Sequence, residues 1–339
     1  MNPPPTEHDA AACCVEENVQ PGSDSEIISR ALSLFAKDRV LEAYDLLVER
    51  FGDDFRNVVS DPSEEEIIGI IYKDGALARM LLREFKSTEG WKACVDKDRT
   101  KTFYKKSQAI TMKDHANATT AVHDEGAPLH VIKIEGHIDS PVFNLMSILY
   151  EVDLYGVWVP QLKQCGVVKY LGGSHDRGLS KFRFLSYFSF NLPWPLSSRD
   201  CLTYAFVADM SDDREDPSIL VVIRGADKNH DSSESDTITK YDNSEFVRVG
   251  IEYSGFLIRM TSENTCHLSL IASVDPKVAY VPYWFQNWLT TNMSFLMMTK
   301  LRSACDMVPN SEYSERIKNN KDVYDEITKR LCQFLPKKD

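Results

Sequence analysis

Apolar positions keep a helical period up to about residue 88 and a period of two after it. Ile27, Ile28, Ala31, Leu32, Leu34 and Phe35 share one helix. After Lys37-Asp38, Val40, Leu41, Tyr44, Leu47, Val48 and Phe51 form a second stripe at i, i+3 and i+4. A third run, "DPSEEEIIGIIYKDGALARMLLREF", opens with proline and a cluster of acids. Both suit a helix start, where unpaired amides and the helix dipole favour negative charge. Residues 24–88 are expected to be a helical extension packed on the main domain. One helix pair is too few for a solenoid.

From Trp91 onward apolar and polar residues alternate. "TKTFYKK" (100–106) and "HVIKIEGHI" (130–138) read as short strands. "SPVFNLMSILYEVDLYGVWVP" (140–160) reads as an amphipathic helix, with Ser140 as cap, Pro141 in the first helical position and Pro160 as a stop. "GVVKYLGG", "SKFRFLSYFSFNLP", "CLTYAFVADM", "SILVVIRGA", "FVRVGIEYSGFLIRMT" and "CHLSLIASVDP" then follow as strands with little helix between them. That order predicts a mainly antiparallel sheet. "YWFQNWLTTNMSFLMMTKLRSAC" (283–305) closes the series as one long helix. The expected fold class is α+β, a curved antiparallel sheet with one helix inserted early and one appended late.

The strand "SKFRFLSYFSFN" places Phe182, Phe184, Ser186, Phe188 and Phe190 on one face and Lys181, Arg183, Leu185, Tyr187 and Ser189 on the other. The expectation is one dry aromatic face and one wet face. "FNLPWPLSSRD" then ends the pairing, because Pro193 and Pro195 cannot donate to a ladder and restrict the residues before them. Ser197, Ser198 and Asp200 supply turn hydrogen bonds, and Trp194 is expected to lie against the sheet end.

A strand ending in Pro-Trp-Pro-Leu-Ser-Ser-Arg-Asp and continuing as a new strand resembles the START (steroidogenic acute regulatory protein-related lipid transfer) domain family. "HVIKIEGHIDSPVFNLMSILYEVDLYGVWVP", "FVRVGIEYSGFLIRM" and "SVDPKVAYVPYWFQNWLTTNMSFLMMTKLRSAC" are similar to three further segments of that family, in the same order. The resemblance covers roughly residues 89–309. Residues 24–88 are extra to it, and the acidic loops "SDDREDPS" and "ADKNHDSSESDTITKYDNSEF" are longer than its turns. It implies a helix-grip fold, with the sheet wrapped round the C-terminal helix to enclose a tunnel for one lipid. Phe182, Phe184, Phe188 and Phe190 would then line the cavity, facing Trp284, Trp288, Met293, Phe295 and Met297 of the helix. Projected at ~100° per residue, that helix carries more apolar width than packing on a core requires. Arg183, Arg248 and Glu252, charges inside apolar strands with Arg248 and Glu252 sharing a strand face, are the candidates to meet a lipid headgroup. The solvent-face alternative gives each a surface pair worth under ~1 kcal/mol. Pro193, Trp194, Pro195, Arg199 and Asp200 carry over as structural turn residues.

The resemblance thus implies a lipid-binding protein that holds one lipid (sterol, phospholipid, ceramide or fatty acid) and transfers it between membranes by transient surface contact. Two other readings stay open: a lipid-gated protein binding a partner through residues 24–88, and an enzyme acting on a hydrophobic substrate in the same cavity. No nucleophile–base constellation is identifiable. Ser174-His175-Asp176 are adjacent in sequence, and neighbours rarely converge as a triad must. No cofactor or metal is expected.

Composition changes this picture mainly by exclusion. The net charge of −12 argues against nucleic acid, where phosphate neutralisation dominates affinity. The start lacks a basic and an apolar region, no run approaches the ~18 apolar residues of a membrane span, and the cytoplasm is the expected location. Cysteines at 13, 14, 94, 165, 201, 266, 305 and 332 show no zinc spacing and read mostly as small hydrophobes. Cys13-Cys14 is a conceivable acylation site, though the acidic, Pro-rich residues 1–23 read as a disordered tail. Residues 310–339 form an expected C-terminal helical tail.

Overall fold

The computed structural model of the protein describes residues 23–52, 61–107, 129–172, 179–213, 215–226, 231–241, 245–277 and 281–332. The expectations for residues 1–22, including Cys13-Cys14, lie outside the described residues.

Ser23 caps helix α1 (Asp24–Phe35) with a reciprocal box: Glu26 N donates to its hydroxyl at 3.3 Å, and Ser23 N donates to the Glu26 carboxylate at 2.8 Å. The chain turns at Asp38, which has φ 61°, into α2 (Val40–Phe51). Asp61 caps α3 (Pro62–Lys86), accepting from Ser63 N at 2.9 Å. At Gly75 an added Cβ would stand 2.3 Å from Tyr44 Cβ, so only glycine lets α2 and α3 approach this closely.

The strands are β1 (Lys92–Lys97), β2 (Thr100–Ser107), β3 (Leu129–Ile138), β4 (Leu162–Tyr170), β5 (Phe184–Phe190), β6 (Arg199–Met210), β7 (Ser218–Gly225), β8 (Val247–Arg248), β9 (Gly250–Ser262) and β10 (Thr265–Asp275). They form one sheet in the order β1-β2-β3-β10-β9-β7-β6-β5-β4, antiparallel throughout, with β8 added parallel to β6. Helix α4 (Val142–Tyr150) follows β3 and α5 (Ser235–Lys240) follows β7. The C-terminal helix crosses the sheet as α6 (Tyr283–Asn287), a π-helical turn (Trp288–Met293) and α7 (Ser294–Met307). Helices α8 (Glu312–Asn319) and α9 (Lys321–Leu331) come last.

Three element expectations need correction. The helix expected over 140–160 ends at Tyr150 and continues as a 3₁₀ segment, Val152–Val157. The strand expected over 246–261 is split at Val249 into β8 and β9. Strand β1 was not foreseen as a separate element.

Helices α1–α3 cover one face of the sheet, here the outer face; α4, the C-terminal helix, α8 and α9 cover the inner face. The wet face expected for β5 is therefore dry. Leu185 and Arg183 are fully buried beneath α1–α3, because the helical extension lies on that side. The β6 run "CLTYAFVA" carried a signal for this, since apolar residues at successive positions mark a strand covered on both faces.

Candidate functional site

The inner face differs between its two ends. One end carries the turn from Asn191 to Ser198 and the last residues of β10; α8 and α9 sit at the opposite, cap end. On β3, Ile138 and Ile134 at the cap end are buried, while Ile132 nearer the turn end is half-buried. The same gradient runs from Cys266 and Leu268 to Leu270 on β10, and from Ile219 to Val221 and Ile223 on β7. On β5 it runs from Phe184 to Phe188 and Phe190. Strands β7 and β10 have neighbours on both sides, and on their outer face Leu220, Val222 and Ile271 are 0% exposed. Half-covered apolar side chains in interior strands mean that the inner face is incompletely covered toward the turn end.

Above this face the C-terminal helix turns Phe285, Thr290, Ser294, Met298, Leu301 and Cys305 inward. Ser294 Oγ accepts from Thr102 Oγ1 at 3.1 Å, which ties the helix to β2. Trp288, Leu289, Met293 and Met297 are half-buried beside that line. Trp288 stacks on Phe285 at 5.7 Å.

The predicted cavity residues therefore separate. Phe188 and Phe190 stand on the open part of the wall; Trp288, Met293 and Met297 flank the inward line of the helix. Phe182 and Phe184 lie in the closed core at the cap end. Two residues need correction. Trp284 is exposed, and Phe295 lies under the Lys97 ammonium, 5.0 Å from its ring centre, on the side of the β1–β2 turn. The π turn shifts the helical phase between residues 288 and 293, so one 100° projection cannot hold along the whole helix. Sequence reasoning also passed over the aliphatic wall of Ile132, Val221, Ile223 and Leu270. The alternation in their strands carries that signal.

The charged candidates are engaged elsewhere. Arg183 is on the outer face, paired with Asp74 of α3 and sandwiched between Phe35 and Phe206 at 4.2 and 5.0 Å. Arg248 makes a bidentate pair with Asp200 at 2.8 and 2.9 Å. It lies in β8, so it does not share a strand with Glu252, which sits half-buried where β9 shifts register against β10. The polar groups facing inward are mostly neutral pairs. Tyr104 Oη and His130 Nδ1 share a hydrogen bond of 2.7 Å, and Ser186 and Thr203 share one of 2.8 Å. Burial pushes the Tyr104 phenol up to about 12; burial, then Lys106, lowers His130.

At the turn end, Arg199 donates to Ser197 O at 2.6 Å and to Pro276 O at 3.1 Å, joining the β5–β6 turn to the loop before α6. Asp200 accepts both bonds from Arg248. Leu196 N donates to Pro193 O at 3.0 Å. Backbone and arginine thus hold the turn, and the indole of Trp194 is free to point outward. It is 90% exposed, contrary to the expectation that it lies on the sheet end. Tyr283 and Trp284, 68% and 44% exposed, leave the same end.

Ser174, His175 and Asp176 lie outside the described residues. Among the described residues no three His, Cys, Asp or Glu side chains are grouped to hold a metal ion, and no helix is long and apolar enough to cross a membrane. Cys201, Cys266 and Cys305 are buried, Cys94 and Cys165 are half-buried, and Cys332 is exposed.

The family model described as "START domain" matches residues 74–310. The crystal structure of human STARD10 superposes with a TM-score of 0.52 at 18% identity, over 75% of this chain and 86% of that one. Human StAR-related lipid transfer protein 5 gives 0.49 at 15% identity, over 68% and 93%. No curated protein matches the chain. The expected helix-grip architecture is the one observed, a large antiparallel sheet carrying a long C-terminal helix on its inner face.

Proposed function

The chain belongs to the START domain family, and on that premise we propose that it is a lipid carrier, holding one lipid against the inner face and passing it between membranes. One observation supports this above the others: Val221, Ile223 and Leu270 are half-covered in the middle of a sheet whose other face is dry. Leaving such surface in water costs about 25 cal/mol per Å², and a lipid tail would remove that cost. Phe188, Phe190, Trp288, Met293 and Met297 would share the contact. Arg183 and Arg248 are already paired, so headgroup recognition falls to hydroxyls and the Tyr104–His130 pair. Trp194, Tyr283 and Trp284 are exposed aromatics at the turn end, of the kind that settles at a membrane–water interface.

Two competing readings fare less well. A protein partner on residues 24–88 would have to use the polar sides of α1–α3, since their apolar stripes are buried against the sheet. For an enzyme, burial raises the Tyr104 phenol and lowers His130, so the pair joins a weakened acid to a weakened base. Native mass spectrometry of the purified chain should show one lipid per molecule. Transfer of a labelled lipid between donor and acceptor vesicles should follow, and a chain that neither co-purifies with lipid nor moves it would refute the reading.

A further inference from the structure

The segment that closes the cap end lies outside the residues matched by the family model, because α8 and α9 come after residue 310. Val323, Tyr324, Ile327 and Leu331 of α9 are buried in the same core as Phe182, Val207 and Ile219 of the sheet's inner face. Tyr324 stands 6.1 Å from the Tyr150 ring and donates its hydroxyl to Glu151 at 2.6 Å. Arg330 stacks on Phe182 at 5.0 Å and pairs with Asp38 at 2.9 Å and Asp209 at 3.5 Å. Asp38 belongs to the turn between α1 and α2, so the two outlying segments of the chain are tied to each other across the sheet's end. Ile327 and Leu331, together with Met146, Phe182, Val207 and Ile219 and the Asp209–Arg330 pair, wall a cavity of about 20 Å³. That is room for about one water and not for a chain.

We propose that α9 is an end stop: Ile327 and Leu331 meet the buried tip of an acyl chain and set the longest chain the protein accepts. The proposal rests on the lipid-carrier reading above. A chain lying along Phe188, Val221 and Leu270 points toward the cap end, where Ile219 stands between it and Ile327 and α9 backs the closed core. A longer chain must leave methylenes in water or displace a helix held by Glu151, Asp38 and Asp209. Each stranded methylene lowers affinity about fourfold, and two lower it about fifteenfold.

The test offers the full chain vesicles that contain cholesterol and a ladder of diacyl phosphatidylcholines and matching ceramides, from lauroyl to arachidoyl. The bound lipids are then weighed by mass spectrometry. The wild type should show an upper length limit. Ile327→Ala with Leu331→Ala should move that limit up by about two carbons or more, as the vacated space joins the existing cavity. Ile327→Phe, which intrudes on that cavity, should move it down. Ile327→Val keeps the series informative if the double variant does not fold. An unchanged length profile in every folded variant overturns the end stop. A wild type that takes cholesterol and none of the ladder overturns it too, but leaves the carrier reading standing. Uptake of neither removes both.

Discussion

The two faces of one sheet use the same alphabet of residues to opposite ends. On the outer face Leu220, Val222, Leu257 and Ile271 are fully buried under α1–α3, and even the ion pair there, Arg183 with Asp74, is sealed from water. On the inner face the same strands offer Val221, Ile223 and Leu270, which the protein itself covers only in part. Burial on the outer side stabilises the fold. Incomplete burial on the inner side leaves binding energy for something else. A core and a binding site thus differ here in coverage and hardly at all in composition.

Mutations should separate the two faces, and the largest effect belongs to the outer one. Asp74→Ala strands a buried guanidinium whose Nε and Nη2 already lack partners, and should cost about 3–5 kcal/mol in urea unfolding. A loss under about 1 kcal/mol would mean that water reaches Arg183 and that the outer layer is looser than described.

Leu257→Ala on the outer face should cost about 2–5 kcal/mol. Leu270→Ala, on the neighbouring strand but half-covered, should cost clearly less while reducing the amount of lipid retained. Equal stability losses at the two positions would erase the distinction between the faces.

Phe188→Asp should lower lipid loading tenfold or more, about 1.4 kcal/mol, and also lower the unfolding midpoint because its ring packs on Tyr155. Normal loading of that variant in native mass spectra would place the ligand elsewhere.

The smallest effect is one of pH. Burial is the main cause that lowers His130 and His267 from the ordinary 6.5. The unfolded chain therefore binds protons first, and stability should fall as pH drops through 6.5, levelling off below the folded-state values. His130→Gln should flatten that slope when denaturation midpoints are compared across the range; an unchanged slope would show that His130 does not contribute.

Much of the fold was legible in the chain. Strand alternation, the Pro-Trp-Pro break and the long terminal helix depend on neighbours within a few residues, and such local rules survive folding. The site was read less well. Phe184 and Phe188 share a face of β5 and look alike in sequence, yet the closed core at the cap end buries the first and nothing fully covers the second. Trp284 and Phe295 were misplaced because a π turn resets the helix's phase, and no local pattern announced it. Arg183 read as a headgroup candidate until α3 supplied Asp74 from more than a hundred residues away.

What the sequence alone determined is the set of elements and the presence of apolar surface on both sides of the strands, since both follow from spacing and side-chain chemistry. Which of that surface is spent on the protein's own helices, and which is left over, was decided only in three dimensions. Coverage is a matter of distant segments meeting: α1–α3 on the outer face, α9 at the cap end, and incomplete cover at the turn end.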